Sequence, residues 1–423
     1  MSLTMNNSRT IILLLIIVAG FLIRTAIWFP GFSTDEPHVP LTVDSSPNTL
    51  IASSFDPSSG RSFFDHPHAI YVVYPLYLSP AFVFGLYLDN YVFWLHHFFA
   101  TFTILLIYAV ASRIGGSGAG LLASLVYACQ LQTAFWFAKT SAITALHFQL
   151  ALFMYCSLMC WERASPKRVF LFVITGLMVL LTRPEGAIYP VVSLLVLTVP
   201  LMVPRLGAMR TLAVCLGSVL VVLLSGIYVL KQNKEIREAV FSHYHVGLIY
   251  FGTQETPTEI NAHEENFEKM KSVCATMSKQ DPEGRSSWYW CTVKGLEKIS
   301  NDPLNYLIIA SKRFLSQLYP SFFRDNFSWK NKLFDKTNMS FIIMGVVFIF
   351  IFNIKEKYKM IGLTLMALAC YIGLSFTAHL WDVRTSLSPQ VLLIPVASIG
   401  WIRLANLAYE RFLRSETASN KNI

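Results

Sequence analysis

Apolar stretches close to twenty residues long recur along this chain, and they constrain its fold more than any other feature. A hydrocarbon core about 30 Å thick is crossed by roughly 20 apolar residues in a helix. Helices are favoured there because they satisfy their own backbone hydrogen bonds. Segments that meet or approach this length are 11–29, 91–111, 118–137, 142–161, 169–181, 187–203, 211–230, 340–352, 360–376 and 386–401. They predict an all-α polytopic membrane protein with about ten transmembrane helices. The composition agrees: of 423 residues, 54% are hydrophobic and only 14% charged, where soluble domains carry about 25% charge. An ordinary soluble enzyme, a disordered chain and a fibrous repeat are thereby excluded.

Residues 69–88 form a further apolar stretch of a different character. It holds Tyr71, Tyr74, Tyr77 and Tyr87 together with Pro75 and Pro80. Aromatic rings with polar tips favour the membrane–water boundary, so this first-loop segment is read as interfacial. The distribution of bases supports that choice. With an inner N-terminus and 69–88 not crossing, Arg9, Arg113, Arg163, Lys167, Arg168, Arg205, Arg210, Lys355, Lys357, Lys359, Arg403, Arg411 and Arg414 fall on one side. That side is the cytoplasm by the positive-inside rule. The first apolar run is read as a retained span and not a cleaved signal, because it is long and Arg24 interrupts the cleavage region.

Three regions follow: an N-terminal transmembrane module (1–230) carrying the first outer loop (30–90), an extracytoplasmic and mainly helical region (231–338), and a C-terminal transmembrane module with a cytoplasmic tail (339–423). The outer region nearly balances acids and bases, so the net +9 comes mainly from inner loops and tails. It reflects topology and contact with membrane lipids, and argues against nucleic acid. Of seven cysteines, Cys274 and Cys291 alone lie outside the predicted spans. A close pair in an oxidising compartment predicts a disulfide. Zinc is the poorer reading, since the spacing is not zinc-like and His263 is the only histidine near by.

Chemistry-bearing residues collect beside the outer membrane face. The first loop opens with Asp35-Glu36 and continues to Asp65-His66-Pro67-His68. Later outer connections supply Lys139, then Arg183-Pro184-Glu185, then His379 and Arg384. A carboxylate at such a rim can take a proton from an acceptor hydroxyl, which suits Asp35 with Glu36; helix-start chemistry before Pro37 is the alternative. Asp65 with His66 and His68 is a second acid–base unit or a polar turn. Lys139, Arg183 and Arg384 suit an anion, since guanidinium grips phosphate with two parallel hydrogen bonds and ammonium serves as a point charge. The alternative for the arginines is pairing with Glu185 and Asp382. Arg24 either snorkels or faces the same pocket. Tyr244 and His245 line that pocket or belong to an aromatic belt. His96, His97 and His147 lie within spans, where interhelical hydrogen bonds are expected and a ligand role is the lesser alternative. Gly115-Gly116-Ser117-Gly118 sits in an inner turn without a strand or a GKS/T signature, and reads as a tight connection.

In this order and on this side of the membrane, the motifs resemble the GT-C superfamily of polytopic glycosyltransferases. The nearest branch is that of protein O-mannosyltransferases and lipid A aminoarabinose transferases. Arg24 followed by Asp35-Glu36 resembles the family's first-span arginine and first-loop acidic motif. Phe64-Asp65-His66-Pro67-His68 is similar to its His-Pro-Pro segment, with His68 standing where a second proline is common. Thr182-Arg183-Pro184-Glu185-Gly186, and Arg384 followed by Pro389, resemble further family segments. Tyr244-His245 and Phe251-Gly252, with the compact length, are also similar to phage-type O-antigen glucosyltransferases.

The resemblance implies a sugar donor carried on polyprenyl phosphate and a lipid-linked glycan or lipopolysaccharide acceptor. It further implies a bacterial inner membrane with the site facing the periplasm. Asp35 would be the base, with Glu36 or Asp65 orienting the acceptor. Arg24, Lys139, Arg183 and Arg384 would hold the donor phosphate, and His66, His68, Glu185, His379, Tyr244 and His245 would line the pocket. No resident cofactor is implied, and a divalent cation stays open. A flippase of lipid-linked sugars is the main competitor and also requires bases in a membrane cavity; an O-antigen polymerase or ligase is the second. Transporters place ionisable groups near the midplane and often carry repeats, whereas here the polar residues gather at one rim.

Overall fold

The structure is a computed structural model. It describes residues 7–28, 49, 51–56, 71–130, 133, 141–163, 165–183, 189–190, 232, 234, 238, 272–276, 287–318, 329–352, 357–375 and 383–419. Among the described residues the ordered elements are helices and turns, with no strand. In chain order the helices are α1 (Asn7–Trp28), α2 (Val73–Val83), α3 (Leu88–Gly115), α4 (Ser117–Ala128), α5 (Ile143–Glu162) and α6 (Pro166–Leu180). They continue with α7 (Ser287–Asn301), α8 (Pro303–Leu318), α9 (Trp329–Ile351), α10 (Lys357–Ser375) and α11 (Val383–Ser419). Four stretches are long and apolar enough to cross a membrane: Asn7–Ala26, Leu88–Gly115, Ile143–Glu162 and Leu387–Leu413. The expected spans 187–203 and 211–230 lie almost entirely outside the described residues.

The chain divides into two compact units. The first comprises Met1–Ser193, Lys336–Ala367 and Leu387–Ile423. Within it α3 packs against α4 and α5, α5 against α6, and α1 against α4. Local chemistry sets the turns. Gly116 adopts φ 85° between α3 and α4, a left-handed conformation that favours glycine. The Ser165 hydroxyl accepts from the Arg168 amide at 3.4 Å, and Pro166 occupies the first turn of α6; serine cap and N1 proline are a standard helix start.

Small residues let backbones approach. A Cβ on Gly120 would lie 1.9 Å from Ser112 Oγ, and one on Gly345 would lie 2.5 Å from the Ala397 carbonyl oxygen. Beside that second contact Trp401 stacks on Phe341 at 5.1 Å and donates its indole N–H to the Phe341 carbonyl at 2.9 Å. Close backbone approach through small residues is a means by which helices associate in lipid, where no hydrophobic drive separates helix from solvent.

Helix α2 falls in the segment read as interfacial. Its 11 residues rise about 16 Å at 1.5 Å per residue, half of a hydrocarbon core. The Val73 amide donates to the Leu181 carbonyl just beyond α6 at 3.2 Å. The Tyr91 hydroxyl donates to the Tyr77 carbonyl at 2.9 Å. Tyr74 and Leu78 are buried with Ala52 of the first loop, Val92 and Phe99 of α3, and Ala142 and Ala145 around the start of α5.

Several boundaries differ from the sequence expectation. The last span, expected at 386–401, belongs to a helix of 37 residues. Hydropathy falls after Trp401, yet Leu, Ala, Glu and Arg continue without a glycine or proline to stop the helix. Helix α9 likewise begins at Trp329, ahead of its apolar part. Helix α4 ends at Ala128, short of the expected 118–137 span.

The second unit comprises Leu194–Asp335 and Leu368–Ser386. Its described part holds a helical turn at 272–276, α7 and α8. Cys274 and Cys291 are joined by a disulfide with Cα atoms 5.5 Å apart, which ties that turn to α7.

Candidate functional site

The first unit gathers polar side chains at the end where α1, α4 and α6 finish and α3 and α5 begin. Arg24, one turn from the end of α1, is only 1% exposed. Its Nη1 donates to the carbonyls of Gly20 at 3.0 Å and Ala128 at 3.3 Å, and its Nη2 to that of Tyr127 at 3.5 Å. The guanidinium carbon lies 5.5 Å from the Tyr127 ring centroid. These contacts have a local cause. The last carbonyls of α4 have no partner within their own helix, and the negative end of the helix dipole attracts a cation. Gly20 leaves the room: a Cβ there would lie 3.1 Å from Arg24 Nη1. One donor is left over, since Arg24 Nε is buried without a hydrogen-bond partner among the described residues.

Three histidines join helices here. His97 Nε2 lies 3.2 Å from the Thr25 hydroxyl of α1, with its ring 4.0 Å from Phe21. His96 Nε2 lies 2.9 Å from the Tyr74 hydroxyl of α2. Burial pushes the Tyr74 phenol above its usual range, so it remains a neutral hydroxyl. His147 of α5 is fully buried, with Nδ1 3.4 Å from the Tyr127 hydroxyl. Its Nε2 has no hydrogen-bond partner among the described residues.

Helix ends complete the cluster. Just beyond α6, the Thr182 hydroxyl bonds to the Gln149 carboxamide oxygen, and Arg183 follows, half-buried. Gln130 bonds to Gln390 of α11, and the Thr133 hydroxyl donates to Gln130 at 2.8 Å. Thr144 and Ser388 are buried as well. Interior polar groups at this density are costly in a membrane protein and mark sites or pathways.

Of the residues singled out in the sequence, Arg24 lies in this cluster, and Arg183 directly follows Thr182, whose hydroxyl belongs to it. Arg384 lies on α11. Asp35, Glu36, Asp65, His66, His68, Lys139, Glu185, His379, Tyr244 and His245 lie outside the described residues. Sequence reasoning did not anticipate Tyr127, Gln130, Gln149 or Gln390, and it read His147 as interhelical first, with a ligand role as the lesser alternative. Gln149 and Gln390 sit in the outer halves of their apolar segments, whereas Tyr127 lies mid-way along 118–137 and is placed at a helix end only because α4 stops at Ala128.

The opposite end of the same unit has another chemistry. Arg113 at the end of α3 forms a two-pronged ion pair with Glu162 at the end of α5. Lys359 of α10 lies 3.7 Å from Glu162, and Arg168 of α6 donates to the Met159 carbonyl at 2.8 Å. Glu162 thus answers several bases, a pairing that the sequence reading had not noted. Among the described residues no group of three or more His, Cys, Asp or Glu side chains is placed to hold a metal ion. No family profile matches the chain, and no curated protein matches it.

Proposed function

We propose that this chain is a glycosyltransferase that moves a sugar from a polyprenyl-phosphate donor to a lipid-linked glycan or lipopolysaccharide acceptor. In this reading it crosses a bacterial inner membrane about ten times. The Arg24 end of the bundle faces the periplasm, and the Arg113–Glu162–Lys359 end faces the cytoplasm, as the bias of bases favours.

The observation that carries the reading is a set of buried nitrogens without a hydrogen-bond partner among the described residues, Arg24 Nε, His147 Nε2 and Gln149 Nε2, with Arg183 next to Thr182 in the chain. Buried donors without partners are rare in native proteins and call for an occupant. In the tautomer in which Nδ1 accepts from the Tyr127 hydroxyl, the neutral His147 ring presents an N–H at Nε2. Two guanidinium groups and an imidazole N–H form an anion site, and a phosphate with its tail among apolar helices satisfies both halves of that environment.

The reaction is a direct, inverting displacement. Asp35 takes the proton of the acceptor hydroxyl as its oxygen bonds to the anomeric carbon. The bond from that carbon to the phosphate oxygen breaks, and the electron pair leaves with polyprenyl phosphate. Charge grows on the departing phosphate, so Arg24 and Arg183, with Lys139 and Arg384, act most strongly in the transition state. Glu36 and Asp65 orient the acceptor, and the remaining first-loop and outer-loop residues line its path. A second reading, a flippase for the same lipids, draws on ionisable side chains lying inside the bundle.

One experiment separates the two. Purified protein in vesicles is given radiolabelled polyprenyl-phosphate sugars and membrane extract. The transferase reading expects label in a new glycan with inverted anomeric configuration. Label that merely changes leaflet, still attached to its donor, supports the flippase.

A further inference from the structure

Helix α8 carries two apolar faces, and among the described residues only one of them is covered. Tyr306, Ile309 and Ala310 are buried. On the opposite side Leu304, Leu307, Ile308 and Leu315 are 68%, 49%, 47% and 63% exposed. Their spacing of i, i+3, i+4 and i+11 aligns them in one stripe along the helix. Ser311 lies in the middle of that stripe, and its hydroxyl donates to the Leu307 carbonyl at 2.8 Å. The one polar group in the stripe therefore needs no water. Its neighbour α7 differs, exposing Lys294, Glu297 and Lys298 with an ion pair of 2.6 Å between the first two.

We propose that the Leu304–Leu315 face of α8 lies on a lipid bilayer surface, with its apolar side chains among the acyl chains and its axis along the membrane. Chain length favours this occupant. Residues 319–328 join α8 to α9, whose stretch Lys336–Ile351 is apolar. Ten residues reach at most about 36 Å, so α8 ends no farther than that from Trp329, the start of α9, whose apolar part the sequence reading takes as a span. A span is disfavoured, because the 16 residues rise only about 24 Å and Lys312 sits among them. An apolar stripe bounded by a basic residue is the pattern of an interfacial helix. The disulfide between Cys274 and Cys291 holds α7, against which α8 packs, so the stripe is presented on a fixed support. The proposal stands independently of the transferase reading.

Photocrosslinking tests it on the full chain. A diazirine side chain is introduced at Leu307, at Leu315 and, as a control, at Ser300 of α7. The protein is reconstituted in vesicles of phosphatidylethanolamine and phosphatidylglycerol and irradiated, and adducts are read by mass spectrometry. Lipid adducts at 307 and 315, several-fold above those at 300, are the expected result. Water-quenched products alone at 307 and 315 would overturn the proposal. So would crosslinks to another segment of the chain or to a second copy.

Discussion

Arg24 and His147 illustrate how one side chain serves both packing and chemistry. Arg24 answers the last carbonyls of α4 while leaving Nε over; His147 is fixed by Tyr127 while leaving Nε2 over. Changing His147 to Gln preserves a donor in about the same volume, whereas Phe removes it. His147→Phe is expected to lower kcat by about 10²–10³-fold, the typical cost of one lost transition-state donor. His147→Gln should recover much of that activity. Steady-state kinetics with a thermal-unfolding control checks this, and equal losses in both variants would reduce His147 to a packing role. Arg24→Lys keeps the charge but loses the fork, so it should lower both transfer rate and melting temperature. Sequence reasoning reached Arg24 and Arg183 because a base beside an apolar run is conspicuous. It passed over Gln149 and Gln390 and ranked a ligand role for His147 second, because one polar residue inside a span reads the same whether it bonds to a neighbouring helix or faces a ligand. Only the three-dimensional arrangement separates those cases.

Helices and their contacts were legible to differing degrees. The glycine turn at 115–118 and the interhelical histidines follow from composition alone. The ends of α9 and α11 do not, because hydropathy marks where lipid ends while backbone propensity decides where the helix ends. Glycine contacts also escape a linear reading. At Gly345 a Cβ would meet backbone atoms of Ala397 at 2.5–2.8 Å, which cannot rotate away. Gly345→Leu should therefore destabilise the α9–α11 contact by about 1–3 kcal/mol, the usual cost of overpacking. Thermal unfolding in detergent measures it, and an unchanged midpoint would show that this approach is not required. At the other end, Arg113 and Glu162 are 34% and 25% exposed. Solvent screening therefore keeps their coupling small, about 1 kcal/mol in a double-mutant cycle.

At the scale of the whole molecule, one end of the first unit holds arginine, histidine and amide groups in a buried cluster. The opposite end holds ordinary ion pairs. That asymmetry suits a membrane protein whose chemistry takes place at one face. The second unit carries its own stabiliser. Reduction of the Cys274–Cys291 disulfide, which closes a separation of 17 residues, should lower the stability of that unit by about 3 kcal/mol. Faster proteolysis around α7 under reducing conditions, with the first unit unaffected, is the expected pattern. The central claim is that the Arg24–His147–Arg183 cluster grips a lipid-borne phosphate. Thermal stabilisation of the purified protein by polyprenyl phosphate, compared with the matching polyprenol, tests it most directly. The account predicts stabilisation by the phosphate and not by the alcohol, lost in Arg183→Gln. Equal stabilisation by both lipids, or an unaltered response in Arg183→Gln, would contradict it.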